Sequence, residues 1–267
     1  MQLPEPTFQR FALWIRGQAG IHLPPAKRTL VQERLAKRLA ARGTGTWESY
    51  LRLLQDPAEE PERLIAVDLL TTHETSFYRE KSHFEWLSHH LQGWDLQEPF
   101  RTWSAAASTG QEVWSLAMVL AEALGPQGNW SILGSDISQR VLQVASDGLY
   151  SENHIKGIPT ECLRKYCMKG QGRHAGTMRI GDALRAHAAF RIINLAVPLP
   201  NLGHFHLIML RNVLIYFEQA DKVAIVERLT TRLQPGGILM TGHSESLHGM
   251  LGQLRPIKPG IYQKGHP

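Results

Sequence analysis

Along this 267-residue chain the hydrophobic period changes once, and that change limits the fold more than any other feature. Between about residues 6 and 79 apolar positions recur at helical spacing: in PTFQRFALWIRGQ, in a basic stretch over 26–43, in WESYLRLLQ behind a Thr46 cap, and in EEPERLIAVDLL after Asp56-Pro57. No strand-like run interrupts them, so a helical domain is expected over 1–80. Beyond about residue 84, short β-rich runs at 100–104, 130–136, 190–194, 206–210 and 237–241 alternate with helical patterns at 112–124, 138–145 and 219–233. That alternation predicts an α/β domain over 81–267, a mostly parallel sheet wrapped by helices, with ligands at the carboxyl ends of the strands where strand order reverses. One segment breaks the alternation. YCMKGQGRHAGTMRI, 166–180, has two short strand-like pieces around a glycine-rich basic turn, which predicts a small antiparallel β insertion at about 164–183.

Composition removes several classes. With 43% apolar and 20% charged residues the chain is globular rather than disordered. No run approaches the roughly 20 apolar residues of a bilayer-spanning helix, and MQLPEP lacks the layout of an export signal, so a soluble, cytoplasmic protein with no direct membrane insertion is expected. Cys162 and Cys167 are spaced for neither a zinc module nor a Cys-x-x-Cys pair, and read as free thiols. His89-His90 and His204-x-His206 have no nearby carboxylate or thiol, so no metal is expected. The net charge is +5. Within 26–43, Leu30, Leu35 and Leu39 form a stripe, with Lys27, Arg28, Arg34, Lys37, Arg38 and Arg42 largely off it. That positive face reads either as a solvated surface or as a docking surface for something acidic.

At the first strand end, Trp103-Ser-Ala-Ala-Ala-Ser-Thr-Gly-Gln-Glu112 runs into a helix, and its small residues, Ala107 and Gly110 among them, allow close approach of a ligand to the backbone. The G-x-G-x-x-G of pyrophosphate sites is missing, and Glu112 would repel phosphate, which disfavours NAD. Asp136, in Ser135-Asp136-Ile137, stands either for ribose hydroxyls or for an N-cap of the next helix. Together these features suggest a nucleoside carrying a sulfonium, S-adenosyl-L-methionine. At the fourth strand end Arg211 and Asn212 either lie over the cleft or satisfy loop carbonyls. Leu233-Gln-Pro-Gly-Gly237 reads as a turn feeding the last strand of the alternation, which ends in Gly242-His243-Ser244-Glu245.

Five runs in order resemble the CheR family, the chemotaxis receptor glutamate O-methyltransferases. Thr71-Thr-His-Glu-Thr-Ser-Phe-Tyr-Arg-Glu80 is similar to the family's TTNxTxFFRE, Trp103 to Glu112 to WSAAASTGEE, Ser135 to Ile137 to SDI, Arg211 to Phe217 to RNVxIYF, and Gly242 to Glu245 to GHSE. The resemblance implies a Rossmann-like class I methyltransferase domain with an all-helical N-terminal domain and the small antiparallel insertion. It implies cofactor contacts at His73, Thr75, Arg79, Ala107, Gly110, Glu112, Asp136, Ile137, Asn194, Leu195, Arg211 and Asn212, with Arg79 and Tyr216 facing the reacting carboxylate. Three positions depart from the family pattern: His73 replaces an asparagine, Gln111 a glutamate and His206 an aspartate.

The implied reaction methylates glutamate carboxylates of a methyl-accepting receptor and releases S-adenosyl-L-homocysteine, with Arg34, Lys37 and Arg38 steering the receptor's cytoplasmic helical region and Gly170 and Gly172 belonging to a surface for its C-terminal tail peptide. The enzyme is expected to act as a monomer, without nucleic acid. Its rivals are a methyltransferase of RNA or of another protein, which the basic charge suits although no aromatic-lined basic groove is visible, and a noncatalytic receptor-binding module.

Overall fold

The computed structural model describes residues 2–92 and 99–265. The chain divides into two compact units, one of Met1–Thr72 with Tyr216–Lys222, the other of His73–Ile215 with Val223–Pro267.

The first unit is helical: α1 (Glu5–Ala19), α2 (Arg28–Ala41), α3 (Trp47–Gln55) and α4 (Glu60–Leu70). Helix α1 stops at Gly20, whose left-handed backbone lets its N–H reach the Arg16 carbonyl. Helix α3 begins at Thr46, whose hydroxyl accepts the Ser49 N–H at 3.1 Å, as the sequence predicts. Phe8, Phe11, Ile15, Leu35, Trp47 and Tyr50 fill the core, with Phe11 edge-on to Trp47 at 6.1 Å. In α2 the buried stripe is Val31, Leu35 and Leu39; Leu30 lies beside it, half-buried.

Much of the basic face of α2 is engaged within this unit. Arg38 grips the Glu62 carboxylate with two nitrogens, one at 3.0 Å, and the Tyr50 hydroxyl donates to the same carboxylate at 2.7 Å. Arg34 donates to the carbonyls of Leu69 at 3.1 Å and Thr71 at 2.7 Å, meeting unpaired acceptors at the C-terminus of α4. Arg42 pairs with Glu59 at 2.6 Å. Of the three side chains expected to dock a partner, Lys37 is exposed, while Arg34 and Arg38 hold α2 to α4.

The second unit follows the predicted alternation: α5 (Lys81–His90), β1 (Phe100–Ser104), α6 (Gln111–Leu124), β2 (Trp130–Asp136), α7 (Gln139–Asp147), β3 (Leu149–Ser151), α8 (Thr160–Tyr166), β4 (Cys167–Lys169), β5 (Thr177–Ile180), α9 (Asp182–Arg185), β6 (Ala188–Ile192), β7 (Phe205–Leu210), α10 (Gln219–Thr231, whose first turn is grouped with the helical unit), β8 (Leu233–Thr241), β9 (Leu254–Lys258) and β10 (Ile261–Lys264). The large sheet has the order β6-β2-β1-β7-β8-β10-β9. Its first five strands are parallel, and β10 and β9 close the edge antiparallel. Strand order reverses between β1 and β7, which sets the crevice at the carboxyl ends of β1, β2, β7 and β8. Helix α6 is buried continuously from Val113 to Ala121.

The structure departs from the sequence reading in particular places. Residues 73–80 belong to this second unit rather than to the helical one, because the His73 carbonyl accepts from the Ser108 hydroxyl at 2.8 Å, Tyr78 N–H donates to Ser115 at 2.9 Å and Phe77 is 2% exposed in the core. Strand β6 starts two residues earlier than 190, which puts Asn194 and Leu195 in the loop beyond it. The Pro235-Gly-Gly237 run lies inside β8: Phe205 pairs with Leu233 but Leu207 with Ile238, a bulge in which Gly236 takes φ +74°. The small sheet, ordered β3-β5-β4, recruits β3 from outside the predicted 164–183 insertion. At its turn Gly170 N–H bonds Thr177 at 2.8 Å, and a Cβ there would fall 1.9 Å from the His174 carbonyl, so only glycine fits. Gly172 has φ +55°. No helix among the described residues is long and apolar enough to cross a membrane.

Candidate functional site

The loop after β1 is pinned through its own amides. Ala105 N–H bonds the Met209 carbonyl and Ala107 N–H the Ser135 carbonyl, both at 2.8 Å, so the loop bridges the ends of β7 and β2. Gly110, at φ +93°, opens α6; a Cβ on it would meet that of Ala145 at 2.6 Å. Asp136 sits at the end of β2 and accepts from Ser108 N–H at 3.0 Å and from Ser138 N–H at 3.1 Å. Its cap reading does not hold, since the Ser138 hydroxyl itself caps α7 by accepting from Val141 N–H. Burial raises the Asp136 pKa above the usual carboxylate range, with the backbone N–H groups and His73 opposing it. Ile193 N–H bonds the Asp136 carbonyl at 3.0 Å and draws the next loop alongside; there Asn194 accepts from Ala196 N–H at 2.9 Å and the Leu195 carbonyl accepts from Arg228. Thr75 and Ile137 are half-buried.

Beside this half of the crevice lies a buried charge cluster. The Arg211 side chain is 1% exposed; it donates to Glu112 at 3.0 Å, to Glu80 at 3.1 Å and to the Arg79 carbonyl. Glu112 also accepts from the Ser104 hydroxyl at 2.8 Å. Asn212 donates its side-chain amide to Glu80 at 3.2 Å and its backbone N–H to Glu245 at 2.6 Å, and Glu245 accepts Gly242 N–H at 2.8 Å. One guanidinium and three carboxylates thus fasten the ends of β1, β7 and β8 to the start of α5 and α6. Burial raises the Glu112 pKa against the pull of Arg211, while at Glu80 the cost of burial is outweighed by Arg211 and Asn212, which hold that carboxyl below its usual value. Among the described residues the non-glycine positions with positive φ are Tyr78, Glu80, Ser108 and Asn212, at 52°, 55°, 48° and 57°, all within these segments.

The structure therefore brings together Ala107, Gly110, Glu112, Asp136, Arg211 and Asn212 at one end of the sheet, beside the segment carrying His73, Thr75 and Arg79. One sequence expectation changes. Arg211 is paired with Glu112 and Glu80 and its side chain is 1% exposed, so it does not present a free guanidinium. Tyr216 lies in the segment grouped with the helical unit, where its carbonyl accepts from His22 N–H at 2.8 Å. Arg79 donates to the Glu74 carbonyl at 3.0 Å. Sequence reasoning missed Glu80, Ser104, Ser108 and Glu245 as site residues; Glu80 and Glu245 were visible as the acids closing the TTHETSFYRE and GHSE runs, but nothing local named their partners. His206 also gains an account: its Nδ1 accepts from Arg101 N–H at 3.1 Å and its ring stacks on Phe100 at 5.0 Å, a structural use in the sheet.

The donor set suits S-adenosyl-L-methionine. Asp136 retains acceptor capacity for a ribose diol, the Ala105–Gly110 turn is built mostly of small residues, and the nearby cluster has an excess of carboxylate over guanidinium, which favours a cationic ligand over a pyrophosphate.

Residues 6–71 match the CheR methyltransferase, all-alpha domain, and residues 73–261 the CheR methyltransferase, SAM binding domain. The chemotaxis protein methyltransferase of Escherichia coli (strain K12) is 37% identical over 248 residues, 92% of this chain and 86% of that one. The chemotaxis protein methyltransferase of Salmonella typhimurium is 36% identical over 94% of this chain and 87% of its own, and chemotaxis protein methyltransferase 2 of Pseudomonas aeruginosa is 36% identical over 96% and 91%. Two domains matched in order, over a fold with its crevice where such a domain binds its ligand, mean that the chain belongs to the CheR methyltransferase family.

Proposed function

We propose that this protein is a cytoplasmic, monomeric protein-glutamate O-methyltransferase that esterifies glutamate side chains on the helical region of a methyl-accepting chemoreceptor. The observation that carries the reading is the crevice at the β1/β7 reversal, with Asp136 on one side and the Glu80–Arg211–Glu112 cluster on the other, in a chain of this family. Bound S-adenosyl-L-methionine supplies an activated methyl group. The substrate glutamate, with an ordinary pKa of about 4.3, arrives ionised near neutral pH, so the protein has to orient rather than deprotonate it. In this reading His73, Thr75, Asp136, Ile137, Asn194 and Leu195 hold the cofactor, Arg79 holds one carboxylate oxygen, and Tyr216 donates to it, leaving the other oxygen free to attack. Exclusion of water favours this step, because opposite charges cancel as the bond forms; alignment contributes up to about 7–11 kcal/mol in ideal cases. An over-tight Arg79 pair would stabilise the ground state as well and slow the step.

For the partner, exposed Lys37 on α2 offers a positive point to an acidic receptor helix. Strand β4 pairs only with β5 among the described strands and leaves an edge beside Gly170 and Gly172 that suits addition of a receptor-tail peptide. The test is incubation with methyl-tritiated cofactor and receptor fragments. A methyl ester releases volatile methanol in mild base; label that withstands base, or label on RNA alone, rejects the glutamate reading. Absence of binding to S-adenosylhomocysteine would leave only a receptor-binding module.

A further inference from the structure

A cavity of about 860 Å3 is lined by residues that include His83, Glu85, His89, His90, His243 and Lys258. Of this lining, His83 neighbours the acidic cluster through Glu80. His83 is 1% exposed, and neither of its ring nitrogens has a hydrogen-bond partner of ordinary geometry. Its Nδ1 faces Glu80 at 3.5 Å, while the backbone at Gly260 closes the Nε2 side, where a Cβ would lie 3.0 Å away. His243, just beyond β8, meets the His83 ring edge-on with centroids 4.7 Å apart and has its Nε2 3.2 Å from the Ser82 hydroxyl. One donor atom each from Glu80, His83 and His243 falls within 4.8 Å of the others, and His243 is exposed, which gives an ion a path from solvent.

Charge favours a cation here. Glu80, Glu112 and Glu245 set three carboxylates against the single guanidinium of Arg211, and Glu245 Oε1 is buried with no hydrogen-bond partner. Arg211 shares Glu80, but Glu112 neutralises it from the other side. Two imidazoles and a carboxylate with an open fourth position make a zinc-type donor set, and Arg211 and Asn212 orient the carboxylate from behind, as outer partners of metal ligands do.

We propose that Glu80, His83 and His243 bind one divalent cation of the zinc class, fastening the start of α5, and with it the segment that carries Arg79, to the loop after β8. The ion is a clamp and takes no part in methyl transfer. Neither cofactor nor receptor is needed for the test, so its outcome is independent of the proposed activity. Full-length protein is stripped with a chelator, dialysed and titrated with Zn2+ and, separately, with Co2+. The expected result is one tightly held ion per chain, visible-region Co2+ bands of a four-coordinate site, and at least a tenfold loss of affinity in His243→Ala and in His83→Asn, with His89→Ala unchanged. Because His243 is exposed, its replacement spares the core, and circular dichroism checks that the variants are folded. Absence of stoichiometric binding, binding that survives His243→Ala in full, or binding lost in His89→Ala overturns the proposal.

Discussion

Arg211 shows how one side chain can fasten several segments of a site. With 1% of its side chain exposed it satisfies Glu80, Glu112 and the Arg79 carbonyl at once, a planar fork that a lysine cannot reproduce. Arg211→Leu leaves the largely buried Glu80 and Glu112 carboxylates without their shared partner; the expected cost is about 3–5 kcal/mol, read as a lower denaturation midpoint, together with weaker S-adenosylhomocysteine binding. Arg211→Lys should recover only part of the stability, and a Lys variant as stable as the parent would show that the fork is not needed. Tyr216 is the opposite case, a half-buried side chain whose proposed role is purely chemical. Tyr216→Phe removes one hydrogen bond to the reacting carboxylate, and about 1.4 kcal/mol at the transition state predicts a kcat roughly tenfold lower. Cofactor affinity should stay the same; an unchanged kcat removes Tyr216 from the reaction.

At the level of helices and strands, local period carried most of the information. The four N-terminal helices and strands β1, β2 and β7 stand within a residue or two of their expected places, because spacing of apolar residues and the Thr46 cap act locally. What escaped was set by distant partners. The Pro235-Gly-Gly237 run looks like a turn and becomes a bulge because β7 continues to pair with β8 around it, and β3 and β9 are short or mostly exposed strands stabilised by neighbours rather than by pattern. In the site, the strand-end residues were legible as runs, but Arg211 meets Glu80 across 131 positions of chain, and no spacing rule reaches that far. The same holds for the basic helix. Its charges were visible, whereas the use of Arg38 to hold α4 through Glu62 was not. That contact has a pH signature. Burial alone would raise the Glu62 pKa, but the hydrogen bonds from Arg38 and Tyr50 outweigh it and hold the carboxyl below its ordinary value. Its folded pKa being the lower one, the contribution to stability is present above the unfolded value, about 4.3, and is lost as pH falls through the folded one. Denaturant titrations below about pH 5 should therefore show a shallower loss of stability with acid in Glu62→Gln than in the parent; equal slopes would remove Glu62 from the acid response.

Over the whole molecule, the net charge of +5 has to be reconciled with an exposed α2 face that is smaller than the sequence suggests. Arg34, Arg38 and Arg42 are committed within the helical unit, so reversing them would test stability and docking together. Lys37, exposed and on the same helix, separates the two. If long-range attraction brings an acidic receptor helix to the enzyme, the effect acts over about a Debye length, roughly 8 Å at 0.15 M salt, and appears in encounter rather than in chemistry. KM for receptor should then rise with ionic strength while kcat holds. Lys37→Glu should raise KM by up to about fivefold at low salt, the equivalent of the roughly 0.2–1 kcal/mol of an exposed charge pair, and the gap from the parent should close as salt increases. Circular dichroism of the variant should match the parent, because Lys37 is an exposed position whose loss removes no core contact. A KM indifferent to both salt and the substitution would mean that receptor recognition rests on short-range contacts and that the positive charge of this protein serves solubility alone.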